Sequence, residues 1–137
     1  MEASGRNVDM QSMVWSTLVA RRAIKDLPSE GGWNAFATAW AAGDLFNPVA
    51  MAFLNSGCDQ ALFGWPCDDQ IEALRDQFAR ATSYDEQKEI VEQIQKRFYE
   101  YPTHIHLGQW NQTSALRNNV KGYLDAGVPV FWNISKE

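Results

Sequence analysis

Basic charge, cysteine, histidine and long apolar runs are all scarce in this chain, and each scarcity excludes something. Twelve Lys and Arg stand against seventeen Asp and Glu, a formal net charge of −5. That balance argues against a nucleic-acid partner, which needs a basic stripe. No apolar run approaches the roughly 20 residues of a membrane-spanning helix. The first ten residues, "MEASGRNVDM", lack the charged start and apolar middle of a signal peptide, so the chain as written would stay where it is made. Two cysteines alone are weak evidence for an oxidising compartment. There is no nucleophile elbow, no phosphate loop and no H-E-x-x-H, so a catalytic reading has little support. Internal repeats and low-complexity segments are missing too.

What is there reads as a globular domain. The chain has 137 residues, 45% hydrophobic and 21% charged, enough for one domain with a modest core. Alternation over 7–11 predicts a short strand. Ser12 is placed to cap a helix over about 13–24, with Trp15, Leu18, Val19 and Arg22 on one face. "DLPSEGG" (26–32) is a turn, and "WNAFATAW" (33–40) reads as a strand inside a covered sheet. This β–α–β order predicts a right-handed crossover unit. "NPVAMAFLNSG" predicts a short helix ending at Gly57. A helix starting at Asp68 or Asp69 buries Ile71, Leu74 and Phe78. A second opens on a Ser83–Glu86 capping box, buries Ile90, Ile94 and Phe98, and stops at Pro102. "THIHLGQW" (103–110) reads as a strand, and short extended pieces follow around Gly122, Gly127 and Pro129.

Four groups of residues could carry chemistry. Cys58 and Cys67 flank the eight residues "DQALFGWP" and either bridge or stand as two buried thiols. Closing such a loop stabilises by about 2–3 kcal/mol in the chain-entropy model. His104 and His106 sit two apart, so on a strand both point to one face. A zinc site wants three or four ligands and no further ligand stands nearby, which favours structural or surface histidines. Six tryptophans are many, and some suit a ligand cleft as well as a core. Asp44 follows Trp40, two alanines and Gly43. It is either a turn aspartate before Asn47-Pro48 or an anchor for a cation at the end of a sheet strand.

Five blocks in order carry a resemblance. "NVDMQSMVWSTLVARR", "GGWNAFATAWAAGD" with "NP" just after, "FGWPCDDQIEALRDQFARA", "HLGQW" and "PVFWNISK" together resemble the C-terminal part of bacterial peptide-type (family 5) extracellular solute-binding proteins of ABC importers. The resemblance runs from about Asn7 to Lys136, and the order of the blocks makes it specific. It implies an α/β fold of two lobes joined by a hinge, closing over ligand. Residues 1–113 would be the C-terminal part of the second lobe, and 114–137 the segment returning to the first. The first lobe and signal peptide would then lie outside this chain, with Met1 either an artificial start or the start of a truncated reading frame.

Function follows from the same resemblance. It implies non-catalytic binding of a peptide or oligopeptide in the periplasm, delivery to ABC permease subunits, and no cofactor. Trp15 matches an aromatic lining a side-chain pocket, and Arg22 a basic residue that meets a peptide carboxylate. Trp40 matches the Trp preceding the ligand-contacting aspartate. Asp44 matches that aspartate, which takes the ligand's α-amino group, although Gly43 lengthens the spacing by one residue. Small residues before Asp44 would let a ligand backbone come close. An exported protein would carry Cys58 and Cys67 bridged. Other readings remain: a sugar, opine or metal-chelate binder, or a small metal-dependent enzyme using His104 and His106. Alone, the chain is expected to self-associate, as a dimer in the simplest case.

Overall fold

The computed structural model describes residue 5 and residues 7–137. The chain divides into two compact units, Met1–Thr38 and Ala39–Glu137. In the first, helix α1 (Trp15–Arg21) is two turns long and buries no residue. Its N-cap is Val14, which offers no side-chain bond; the helix starts too late for Ser12 to reach its free N–H groups. The turn after it closes on the Leu27 carbonyl, which accepts from the N–H of Glu30 (2.8 Å) and of Gly32 (3.0 Å). Glycine is required at 32, because a Cβ there would fall 1.8 Å from the Asp26 carbonyl oxygen. Arg21 fastens helix to turn: its Nε donates to the Gly31 carbonyl (3.1 Å), its Nη2 to the Gly32 carbonyl (2.9 Å), and its Nη1 to Gln11 Oε1.

The core lies in the second unit, around a helical hairpin. Helix α2 spans Asp69–Arg80 and α3 spans Tyr84–Glu100. Their starts follow from side-chain caps. Asp68 accepts from the Ile71 N–H (2.8 Å) and Ser83 from the Glu86 N–H (3.2 Å). Glu86 completes the capping box by accepting from the Thr82 N–H (3.1 Å), one residue before the position a standard box uses. The helical periodicity turns Leu74, Ile90 and Ile94 inward onto Met51 and Leu54, with Leu45, Phe53, Phe78 and Phe98 packed around them. Ile71 is fully buried. Phe78 and Phe98 are half-buried at the edge rather than enclosed.

Arg75 straps the loop before the core to α2. Its Nε donates to the Pro48 carbonyl and its Nη2 to the Val49 carbonyl, both at 3.0 Å, while Nη1 pairs with Glu72 at 2.6 Å. At the end of the chain, β1 (Val120–Lys121) and β2 (Ser135–Lys136) pair antiparallel, Val120 opposite Lys136.

The α/β expectation holds only as a mix of helices and one small sheet. Residues 7–11, 33–40 and 103–110 form no strand, and no parallel crossover exists among the described residues. A strand needs neighbours to take its N–H and C=O groups, and these segments find none among the described residues. The helix expected over 47–57 is instead a turn and a single 3-10 turn at Ala52–Leu54. Asn47 Oδ1 takes the Val49 N–H (2.8 Å) and Asn55 Oδ1 takes the Gly57 N–H (2.9 Å), and such side-chain bonds compete with helix. Among the described residues no helix is long and apolar enough to cross a membrane.

Candidate functional site

Each unit holds two of the four residues matched to ligand contacts. In the first, Trp15 opens α1 and Arg22 caps its C-terminus. One helical repeat of seven residues puts them on the same face, and the Arg22 guanidinium lies 5.3 Å from the centroid of the Trp15 ring. A cation over an indole face is an attractive pair, and it holds Arg22 at one end of the helix. The Arg22 carbonyl accepts from Trp33 Nε1 (3.1 Å), and Trp33 meets Phe36 edge to face at 4.7 Å. Arg21, beside it in sequence, is spent on the turn.

In the second unit, Trp40 stands just before a 3-10 turn at Ala42–Leu45, and Asp44 lies within that turn. The Asp44 N–H bonds back to the Ala41 carbonyl (3.1 Å). That turn sends Leu45 into the core and leaves Asp44 exposed. Among the described residues the Asp44 carboxylate enters no hydrogen bond or ion pair. Gly43 has a negative φ, and a Cβ there would meet nothing within 4 Å. The fold of this chain therefore does not demand a glycine at 43.

Trp40 begins a run of rings. It meets Phe53 edge to face at 5.3 Å, Phe53 lies 5.4 Å from the His104 ring, and His104 lies 4.9 Å from Phe98. His106 follows, 4.7 Å from His104 and 6.0 Å from Phe98. The two histidines share one face, as their spacing predicts, although no strand forms. A groove of about 460 Å³ opens here, lined by Leu45, Met51, Phe98, Tyr99, His104 and His106 among others. Burial holds the His104 imidazole below its ordinary pKa of 6.5, and the neighbouring His106 charge adds to this. Thr103, which no motif in the sequence marks, anchors the ring: its Oγ1 is 2.6 Å from the Phe53 carbonyl and 2.9 Å from His104 Nδ1.

Cys58 and Cys67 are joined by a disulfide. It closes a loop that an isolated bridge between Gly57 and Cys67 also shuts, with the Cys58 N–H on the Pro66 carbonyl at 3.0 Å. Cys58 and Trp65 both take positive φ, an uncommon choice for side-chain-bearing residues. Just past it, Asp68 is buried and paired with Arg97. The hydrogen bond from Arg97 holds the Asp68 carboxyl below its ordinary value, against the opposing effect of burial, and Asp68 in turn raises Arg97. These partners stand 29 residues apart, so no local spacing announces them. Among the described residues no group of three or more His, Cys, Asp or Glu is placed to hold a metal ion.

Comparison with known proteins agrees with the resemblance seen in the sequence. Over 132 residues, 96% of its length, the chain is 31% identical to the "Probable peptide ABC transporter periplasmic-binding protein y4tO" of Sinorhizobium fredii. The match takes in 25% of that relative, so the chain corresponds to a fragment of such a protein and spans about a quarter of the length of the curated relative it matches. No family model matches.

Proposed function

We propose that this chain is part of a periplasmic solute-binding protein that captures peptides or oligopeptides for an ABC importer and hands them to its permease subunits without chemical change. The observation that carries this reading is the 31% identity sustained over 132 residues to a protein named for that role. On this reading residues 1–113 belong to the second lobe and 114–137 return to the first. Closure of two lobes would trap the solute, since both sets of contacts form only when the hinge shuts.

Asp44 is the residue assigned to the peptide's α-amino group. Its exposure and its lack of a protein partner among the described residues suit a carboxylate kept for a ligand. Gly43 supports the same role, because its open surroundings leave room for a ligand backbone. Trp40 supplies apolar wall beside it, and the Trp15–Arg22 pair suits a side-chain pocket and a peptide carboxylate.

The test uses the parent-length protein. Asp44→Asn is expected to weaken binding of a peptide with a free amino terminus by about 2–4 kcal/mol, as for truncating one partner of a buried charge pair. An N-acetylated peptide should lose far less, because its nitrogen carries no charge. Calorimetry on both ligands makes the comparison, and equal losses would assign Asp44 to the turn alone.

A further inference from the structure

The His104 ring carries more information than its packing. Thr103 has a single hydroxyl proton, and two atoms compete for it: the Phe53 carbonyl oxygen at 2.6 Å and His104 Nδ1 at 2.9 Å. A carbonyl oxygen cannot donate, so at that separation the proton must lie between it and Oγ1. His104 Nδ1 then has to donate to Thr103 Oγ1. This settles the tautomer of the neutral ring: Nδ1 carries the hydrogen, and Nε2 carries a bare lone pair. That Nε2 is buried and has no hydrogen-bond partner. Leaving a buried acceptor unmatched is unfavourable, so an arrangement that persists invites a partner.

The chain of bonds from ring to hydroxyl to carbonyl has a known use. A histidine that ligates a metal through one nitrogen donates its other N–H to an oxygen, which holds the tautomer and aims the lone pair. His104 has that arrangement already, and a second imidazole stands beside it. A metal about 2.0–2.1 Å from each ligating nitrogen lies about 3.2 Å from each ring centroid, so bond angles of about 90–110° separate the centroids by about 4.5–5.2 Å. The observed separation is 4.7 Å.

We propose that His104 and His106 form a two-histidine site for a late first-row divalent transition metal, with Thr103 as the residue that positions it. The rings now meet at 75°, so binding requires His106 to turn a nitrogen toward His104. His106 is exposed, and exposed side chains change rotamer freely. Imidazole suits Zn, Cu and Ni, while Mg and Ca want oxygen. Two protein ligands leave the remaining positions to water or to a small chelating solute in the adjoining groove. The affinity expected is therefore micromolar rather than that of a closed structural site. The site is independent of the peptide-binding reading, since none of its ligands is among the residues assigned to peptide.

The chain contains only two histidines, which makes the test unambiguous. Copper(II) sulfate is titrated into the chain and followed by electron paramagnetic resonance, with zinc chloride and calorimetry as a second probe. The expected result is one saturable copper per chain, showing coupling to two imidazole nitrogens. His106→Ala, an exposed change that leaves the fold intact by circular dichroism, should lose one nitrogen and at least tenfold in affinity. Thr103→Val keeps both imidazoles and should weaken zinc binding by about ten- to a hundredfold. A copper spectrum without imidazole nitrogen, or zinc binding unchanged in His106→Ala, overturns the proposal.

Discussion

Asp68 serves two structures at once. One oxygen caps α2 through the Ile71 N–H, and the carboxylate also receives the Arg97 guanidinium from α3. Replacement by asparagine separates these roles, because Asn caps about as well as Asp but cannot pair as an anion. Asp68→Asn should therefore keep α2 helical yet lower the Tm by several degrees at neutral pH. The pH dependence has a definite sign. A carboxyl whose folded pKa is depressed adds stability that is complete above its unfolded value, here near the ordinary 3.8, and that is lost as pH falls through the lower folded value. The difference between the parent and Asp68→Asn should thus shrink below about pH 4. Urea unfolding at pH 7, 5 and 3 measures it. A difference that stays constant down to pH 3 would show that the ion pair contributes nothing.

Gly122 presents the same kind of question for the backbone. Its φ is 75°, and a Cβ would fall 2.0 Å from the Asn133 carbonyl oxygen. Asn133 Nδ2 meanwhile donates to the Gly122 carbonyl at 3.1 Å. Gly122→Ala must move one strand off the other, on top of about 1–2 kcal/mol for a left-handed alanine. The expected outcome is faster hydrogen exchange at residues 120–122 and 134–137, with α2 and α3 unaffected. Unchanged exchange at those amides would mean that the pairing tolerates the side chain.

Among the elements, the disulfide loop is the one held by covalent chemistry. Cys58 and Cys67 are nine residues apart in sequence, and closing a loop of that size contributes about 2–3 kcal/mol in the chain-entropy model. Reduction should lower stability by that amount and release the Gly57–Cys67 bridge, which thermal melts with and without reductant would read. Identical melts would mean that the loop keeps its shape through Cys58–Pro66 and neighbouring hydrogen bonds alone.

What was legible in the sequence divides along a physical line. Helices α2 and α3 announce themselves because their caps and their apolar stripes are local. Asp68 and Ser83 stand where the free N–H groups need acceptors, and Ile90 and Ile94 recur at helical spacing. The segments 33–40 and 103–110 read as strands in the sequence and form none in the structure, for the opposite reason. Their apolar character is real, but a strand is a property of a pair, and the partner is not written in the segment itself. His104 and His106 share a face without being a strand, because an extended backbone alternates whether or not it is paired. The Asp68–Arg97 and Arg75–Pro48 ties escape sequence reasoning altogether, since they join distant positions that only the packing of α2 against α3 and against the preceding loop brings together. At the candidate site, the Trp40 and Asp44 assignments came from resemblance, while Thr103 gave no local signal at all.

For the whole molecule, the feature that matters most is the apolar surface left uncovered after the helices. Alternation along 104–107 turns the histidines toward Phe98 and leaves Ile105 and Leu107 about four-fifths exposed, at 79% and 82%. Trp110, Phe131 and Trp132 are exposed as well. Removing such surface from water gains about 25 cal/mol per Å², and patches beyond a few hundred Å² are unusual on a monomer. The isolated chain should therefore self-associate, and a symmetric dimer is the simplest closed arrangement that covers the same patch on both copies. Light scattering after size exclusion is expected to give a mass that rises with concentration. Phe131→Ser combined with Trp132→Ser should return it toward the monomer without loss of helix, since neither side chain belongs to the core. The same reasoning limits binding. If the solute is held between two lobes, a chain that supplies one side keeps only part of the contacts, so peptide affinity should be millimolar or weaker. A clean monomer at high concentration that binds peptide at micromolar strength would show that the exposed rings need no cover, and that this chain is a self-sufficient binding domain.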